Sequence, residues 1–202
     1  MSATLAPTAI DRTDVRTILI GGTKIGLLTV LAVVLYLCAS KYVPAGGLRV
    51  GLEALLVLVA GTAVTFLPGR WCGARSVEGI AGAAGIGLWG SLVFTVVDIA
   101  LLRPLKAYPW TWDAVGGGST WWYFPIWWML ATFLAWMGGT LTATAPEDSS
   151  LVRTAAPVLI GAVVLAVVAK LAGLHAVMPV LAGAGFAVML PVLAVIALAR
   201  RA

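Results

Sequence analysis

A chain of 202 residues that is 61% hydrophobic and only 10% charged, where soluble domains carry about a quarter charged residues, lies outside the soluble globular range. Its net charge of +5 is scattered over short connectors, with no basic, aromatic-interleaved segment long enough to fold as a nucleic-acid-binding domain. The same connectors are too short for a soluble catalytic domain, and they contain no phosphate-binding glycine loop, nucleophile elbow or paired His-Glu motif. The composition is that of an all-α integral membrane protein, and the chain reads as a bundle of about six transmembrane helices with a Trp-rich loop between the third and fourth.

Residues 1–16 form a polar N-terminal segment with Asp11, Arg12, Asp14 and Arg16. The apolar run that follows, 17–37, exceeds the roughly 7–15 residues of a cleavable signal core, so it is read as a retained first span, 17–40. Lys24 lies within it and is placed to snorkel. A connector with Lys41, Pro44, Gly46 and Arg49 precedes the second span, 50–68, which carries Glu53 near its start. A second connector with Arg70, Trp71 and Arg75 leads to the third span, 77–102, which contains Trp89 and Asp98. The cysteines Cys38 and Cys72 fall at opposite ends of successive spans and match no metal or redox pattern.

The segment 103–124 and the helix after it dominate the sequence, since residues 103–139 hold seven of the nine tryptophans. Pro125 suits a first helical turn, which predicts a fourth span over 125–144, about 30 Å long at ~1.5 Å per residue and matched to a bilayer core. Tyr108, Trp110, Trp112, Trp121 and Trp122 then fall just outside the span, with Trp127 at its start. Such a cluster serves as an interfacial aromatic belt. Gly116, Gly117 and Gly118, with Arg103, Lys106 and Asp113, also suit an aromatic-walled pocket or docking surface. A connector with Glu147, Asp148 and Arg153 leads to the fifth span, 155–172. A hairpin through Gly173 and His175 leads to the sixth, 179–199, where Pro191 can introduce a kink. Residues 17–199 thus make one transmembrane domain, and 200–202 close the chain.

Six spans put both termini on one face. Arg12, Arg16, Arg70, Arg75, Arg153, Arg200 and Arg201 lie on that face, against Lys41, Arg49, Arg103 and Lys106 on the other. The positive-inside rule therefore predicts a multi-pass protein of the cell (inner) membrane with cytoplasmic termini and an external Trp-rich loop. The two halves show no internal repeat of the kind that marks inverted-repeat transporters.

In lipid, helices associate through small residues at four-residue spacing. Gly79, Ala83, Gly87 and Ser91 form such a stripe on the third span, and Ala131, Ala135, Gly139 and Ala143 form one on the fourth, which predicts that these two helices pack closely. At ~100° per residue Asp98 projects between Gly87 and Ser91, towards protein. Glu53, Asp98, Lys170 and His175 all fall towards the external ends of their segments. An intramembrane carboxylate is a functional candidate unless it is structurally paired, here with Arg103 or Lys170. A single histidine and no thiolate cluster argue against haem or zinc, the cofactor is unknown, and a carboxylate-rich metal site completed by a partner chain stays open.

The candidate ligand- or partner-binding residues are therefore Glu53, Asp98, Arg103, Tyr108, Trp110, Trp112, Asp113, Trp121, Trp122 and Trp127. The reading that uses most of them is an accessory, scaffolding or docking subunit that joins other membrane subunits through its external loop. One alternative is a small transporter or binding protein for a lipophilic or weakly polar ligand. Another is an intramembrane enzyme with a carboxylate-based or partner-completed site.

Overall fold

The computed structural model describes residues 13–108, 123–146 and 148–200. Among them it is all helical: α1 (Val15–Tyr42), α2 (Gly47–Trp71), α3 (Val77–Val97) continued by a π-helical turn (Asp98–Leu102), α4 (Tyr123–Thr144), α5 (Leu151–Leu171) and α6 (Met178–Ala199). Each of the six is long and apolar enough to cross a membrane. The protein is a multi-pass membrane helical bundle.

Local chemistry sets the helix ends. Asp14 caps α1 by accepting from the Thr17 amide at 3.0 Å, Ser76 caps α3, and Ser150 caps α5 through the Arg153 amide at 3.2 Å. The Ser150 cap corrects the expected start of the fifth span from 155 to 151, because Arg153 and Thr154 sit in the first helical turn instead of the connector. The fourth span also begins earlier than 125. Pro125 is the third residue of α4, still within the turn whose amides need no intrahelical acceptor, and this shortens the loop expected over 103–124 at its far end. The second span extends past both expected ends, with Pro68 inside its last turn.

Helices α1 to α4 form one group, and the α5–α6 hairpin packs on it chiefly through α6 against α2 and α4. The expected contact of α3 with α4 is among the two most extensive in the molecule. A β-carbon added at Gly87 would lie 2.6 Å from both the Ala131 carbonyl oxygen and the Ala135 Cβ. One at Gly139 would lie 3.0 Å from the Ala83 Cβ. Gly79, Ala83, Gly87, Ser91, Ala135, Gly139 and Ala143 are all buried, and Ala131 is half-buried.

An equally close contact joins α1 to α3. Gly22 lies under the Trp89 side chain and Gly26 meets the Gly90 carbonyl oxygen, each at under 3 Å from where a β-carbon would stand. Gly138 of α4 abuts the Thr65 carbonyl of α2. The outward surfaces carry the large apolar side chains, such as Leu27, Leu31 and Leu35 on α1 and Val164 and Val168 on α5, as expected where the surrounding solvent is hydrocarbon.

On the face that carries the termini, Arg70 donates to the Ser149 carbonyl at 3.0 Å and Arg75 to the Ala145 carbonyl at 2.9 Å. Arg75 thereby ties the α2–α3 connector to the C-terminal end of α4, where a helix dipole favours positive charge, and Arg70 ties the end of α2 to the residue that precedes the α5 cap.

Candidate functional site

At Asp98 the hydrogen bonding of α3 changes from the α pattern to the π pattern, and the Arg103 amide donates to the Asp98 carbonyl five residues back, at 3.0 Å. In an α-helix, residues five apart are about 140° out of register at ~100° per residue. A π turn, closed by bonds between residues five apart, brings them onto one face. The Arg103 side chain accordingly reaches back, and its Nε donates to Asp98 Oδ2 at 2.8 Å. Asp98 is buried, at 3% exposure, although it carries a charge.

The chain then turns sharply. The Lys106 amide bonds to the Arg103 carbonyl at 2.9 Å and the Ala107 amide to the Leu102 carbonyl at 3.0 Å, with Lys106 in the left-handed region at φ 51°. This is a Schellman closure with lysine where glycine usually stands. It aims Tyr108 back over the helix end, and the Tyr108 hydroxyl donates to Asp98 Oδ1 at 2.6 Å. Burial and the adjacent Asp98 carboxylate raise the Tyr108 pKa well above the ordinary phenol value, so it remains a proton donor at any physiological pH. Both carboxylate oxygens are thus engaged, one by a charge-assisted bond and one by a phenol.

The Asp98 group lies at one end of a partly open cavity of about 370 Å³ lined by α1, α2, α3 and α4. That volume falls in the range of small-molecule sites. Val33 of α1, Gly61 and Val64 of α2, Phe94 of α3 and Leu130 of α4 are among its apolar lining. Along α3 the lining runs from Gly87 to Asp98, about 16 Å at ~1.5 Å per residue, or half the thickness of a bilayer core. The projection that placed Asp98 beside Gly87 and Ser91 is realised as one wall of this cavity. Trp127 of α4, half-exposed, also lines it.

Glu53 occupies a different environment. Its Oε1 accepts from Ser40 at 2.6 Å and from Arg49 at 2.9 Å, which staples the end of α1 to the start of α2. Lys170 is directed to the Ala176 carbonyl at 3.5 Å, and His175 is exposed on the α5–α6 hairpin. The four ionisable residues stand towards the helix ends on one side of the bundle, and Asp98, Glu53 and Lys170 each bond a different partner. Asp98 is paired with Arg103 and not Lys170, and Glu53 has its own arginine. Trp110, Trp112, Asp113, Trp121 and Trp122 lie outside the described residues.

Sequence reasoning missed three features. The π turn had no signal, since Asp-Ile-Ala-Leu-Leu is ordinary helix sequence. The Gly22–Gly26 pair had a legible one, two glycines four apart. Trp128, whose indole donates to Thr95 Oγ1 at 3.1 Å, sits one residue beyond the tryptophan singled out.

Compared with known proteins, the chain matches no protein family, no curated protein and no solved structure.

Proposed function

We propose that this protein binds a lipophilic molecule between α1, α2, α3 and α4. The observation that carries the reading is the apolar cavity, half a bilayer deep, that ends on a buried carboxylate held by Arg103 and Tyr108. Ligand sites of this size combine apolar walls with a few convergent polar groups that fix orientation, and a buried charge in a membrane protein marks a site by default. Apart from Lys24 on α1, the spans carry charge only near their ends, which suits holding a hydrophobic molecule better than conducting an ion.

The test is a cavity-filling variant. Val33→Phe places a ring in the cavity and should abolish co-purification of any small lipophilic molecule, detected by native mass spectrometry after extraction in mild detergent. Equal recovery of the same bound mass from parent and variant would remove the reading.

A second reading, a docking or accessory subunit of a larger membrane complex, draws support from one further observation. Tyr108 and Phe124, which lie on either side of the tryptophan-rich segment, both line the cavity, so a partner engaging that segment would act on residues of the ligand site. Its test is recovery of a constant set of partner subunits with the tagged protein. The same reading places the termini in the cytoplasm and the tryptophan-rich segment outside. The arginine asymmetry supports that placement, and labelling of a cysteine introduced at Gly117 in intact cells tests it.

A further inference from the structure

The polar groups on the cavity wall are not equivalent to a generic wet patch, because most of their protons are already taken. Thr29 Oγ1 donates to the Ile25 carbonyl at 2.9 Å, Ser91 Oγ to Leu88 at 2.7 Å and Thr95 Oγ1 to Ser91 at 2.8 Å. Tyr108 donates to Asp98. What Thr29, Ser91 and Tyr108 can offer a ligand is therefore lone pairs, whereas the Thr95 oxygen already accepts from the Trp128 indole.

Asp98 itself can only accept, and each oxygen of an ionised carboxylate has room for a second hydrogen bond beyond the one it receives. The polar end of the cavity is accordingly a set of acceptors around a carboxylate whose charge is balanced by Arg103. Tyr36 is the remaining hydroxyl on the wall. Gly26 packs on Gly90, so Asp98, eight residues further along α3, stands level with the Val33–Tyr36 stretch of α1, and Tyr36 belongs to the same end of the cavity.

We propose that the cavity selects a lipophilic alcohol, a molecule with an apolar chain and an uncharged hydroxyl head, and discriminates against the carboxylate of the same chain. This rests on the cavity being a ligand site and adds the class of head group. A hydroxyl donates its proton to Asp98 and keeps its oxygen free for the Tyr36 phenol. A carboxylate head has no proton to give, meets Asp98 as a like charge, and leaves buried acceptors without the bond a hydroxyl would make, which is costly. An ammonium head can donate, but it brings a full charge to a carboxylate already neutralised by Arg103. Buried polar groups built to bond one head group commonly reject a mismatched one strongly, and an uncompensated bond of this kind corresponds to about tenfold or more in affinity.

The experiment compares dodecanol, dodecanoate and dodecylammonium on the full chain in mild detergent, at a pH well above the carboxyl pKa of the acid. Binding is read from the rise in melting temperature and from one-to-one adducts by native mass spectrometry. The expected result is saturable binding of dodecanol, with dodecanoate and dodecylammonium at least about tenfold weaker, and loss of all binding in Val33→Phe.

Asp98→Asn removes the negative charge but leaves Arg103, so the order of alcohol and acid should reverse. Should that variant fail to fold, Tyr108→Phe keeps the carboxylate and frees Asp98 Oδ1, and dodecanol should bind at least as tightly as in the parent. Dodecanoate binding as well as dodecanol, with both lost in Val33→Phe, would leave the cavity a ligand site and overturn the alcohol preference. Preferred binding of dodecylammonium would overturn it in favour of a cation site. Weaker dodecanol binding in Tyr108→Phe would also overturn it. Binding of all three unchanged by Val33→Phe, or no binding of any, would instead overturn the ligand site itself.

Discussion

The two halves of the α1–α4 group are built on opposite principles. Towards the termini, glycines bring backbones together: Gly22 and Gly26 set α1 on α3, Gly87 sets α3 on α4, and Gly138 sets α4 on α2. Towards the tryptophan-rich segment the small residues give out on three of the four helices. Past Gly26, Ser91 and Ala131 the inward positions become Val33 and Tyr36 on α1, Phe94 on α3 and Trp127 and Phe124 on α4. The larger side chains of this half do not fill the space between the helices, and the cavity is what is left. A gradient of residue size along the helices therefore produces close packing at one end and a cavity at the other, with side-chain hydrogen bonds replacing backbone contact as the local constraint. Ser40–Glu53 between α1 and α2 and Trp128–Thr95 between α4 and α3 are such bonds, and Asp98–Arg103–Tyr108 fixes the end of α3.

The largest effect should come from breaking the polar lock of the open half. Asp98→Ala leaves the Arg103 charge largely buried without its carboxylate and should lower stability by about 3–5 kcal/mol. Replacing both members, as in Asp98→Leu with Arg103→Met, should recover much of that loss, since a buried pair is often matched by apolar residues of similar volume. Thermal unfolding in detergent measures both. A double variant no more stable than Asp98→Ala would show that the carboxylate holds more than the arginine, and the account of the open half would need another partner.

The packed half is sharpened by a single substitution made at two glycines. At Gly138 even a methyl group runs into the Thr65 carbonyl, so Gly138→Ala should cost about 1–3 kcal/mol through overpacking. Gly51, on α2 near the opposite end, has nothing within 4 Å of where its β-carbon would stand, and Gly51→Ala should stabilise by about 0.5–1 kcal/mol through helix propensity. The same sign at both positions, by denaturation in the same detergent, would mean that the size gradient does not control packing.

How much of this was legible before the structure depends on whether the determining feature is periodic. The six spans and the α3–α4 contact were readable because apolar length and small residues four apart translate directly into helices and close approach. The inward projection of Asp98 was readable for the same reason. Its partner was not, because choosing Arg103 over Lys170 requires the π turn, and a change from four-residue to five-residue bonding leaves no trace in side-chain type. The cavity was equally hidden: Phe94, Val33 and Leu130 look like any lipid-facing or core residue until the register of four helices is known. The start of α5 was misplaced because a polar first turn reads like a connector until the Ser150 cap is recognised.

The smallest effect concerns the turn that delivers Tyr108 to Asp98. Two other helices end in the same closure with glycine in the left-handed position, Gly73 at φ 61° after α2 and Gly173 at φ 86° after α5. At the third, after the π turn, the position is occupied by Lys106. A residue with a β-carbon pays roughly 1–2 kcal/mol in that conformation, part of which glycine returns through its greater freedom in the unfolded chain. Lys106→Gly should therefore raise stability by about 1 kcal/mol, and Lys106→Val, whose branched side chain fits the left-handed region poorly, should lower it. Because the turn carries the Tyr108–Asp98 bond, the gain from glycine should shrink when Tyr108→Phe is combined with it, if aiming the phenol is what strains the turn. Additive effects of the two substitutions, measured as a double-mutant cycle, would instead mean that the strain at Lys106 is local and independent of the Tyr108–Asp98 bond.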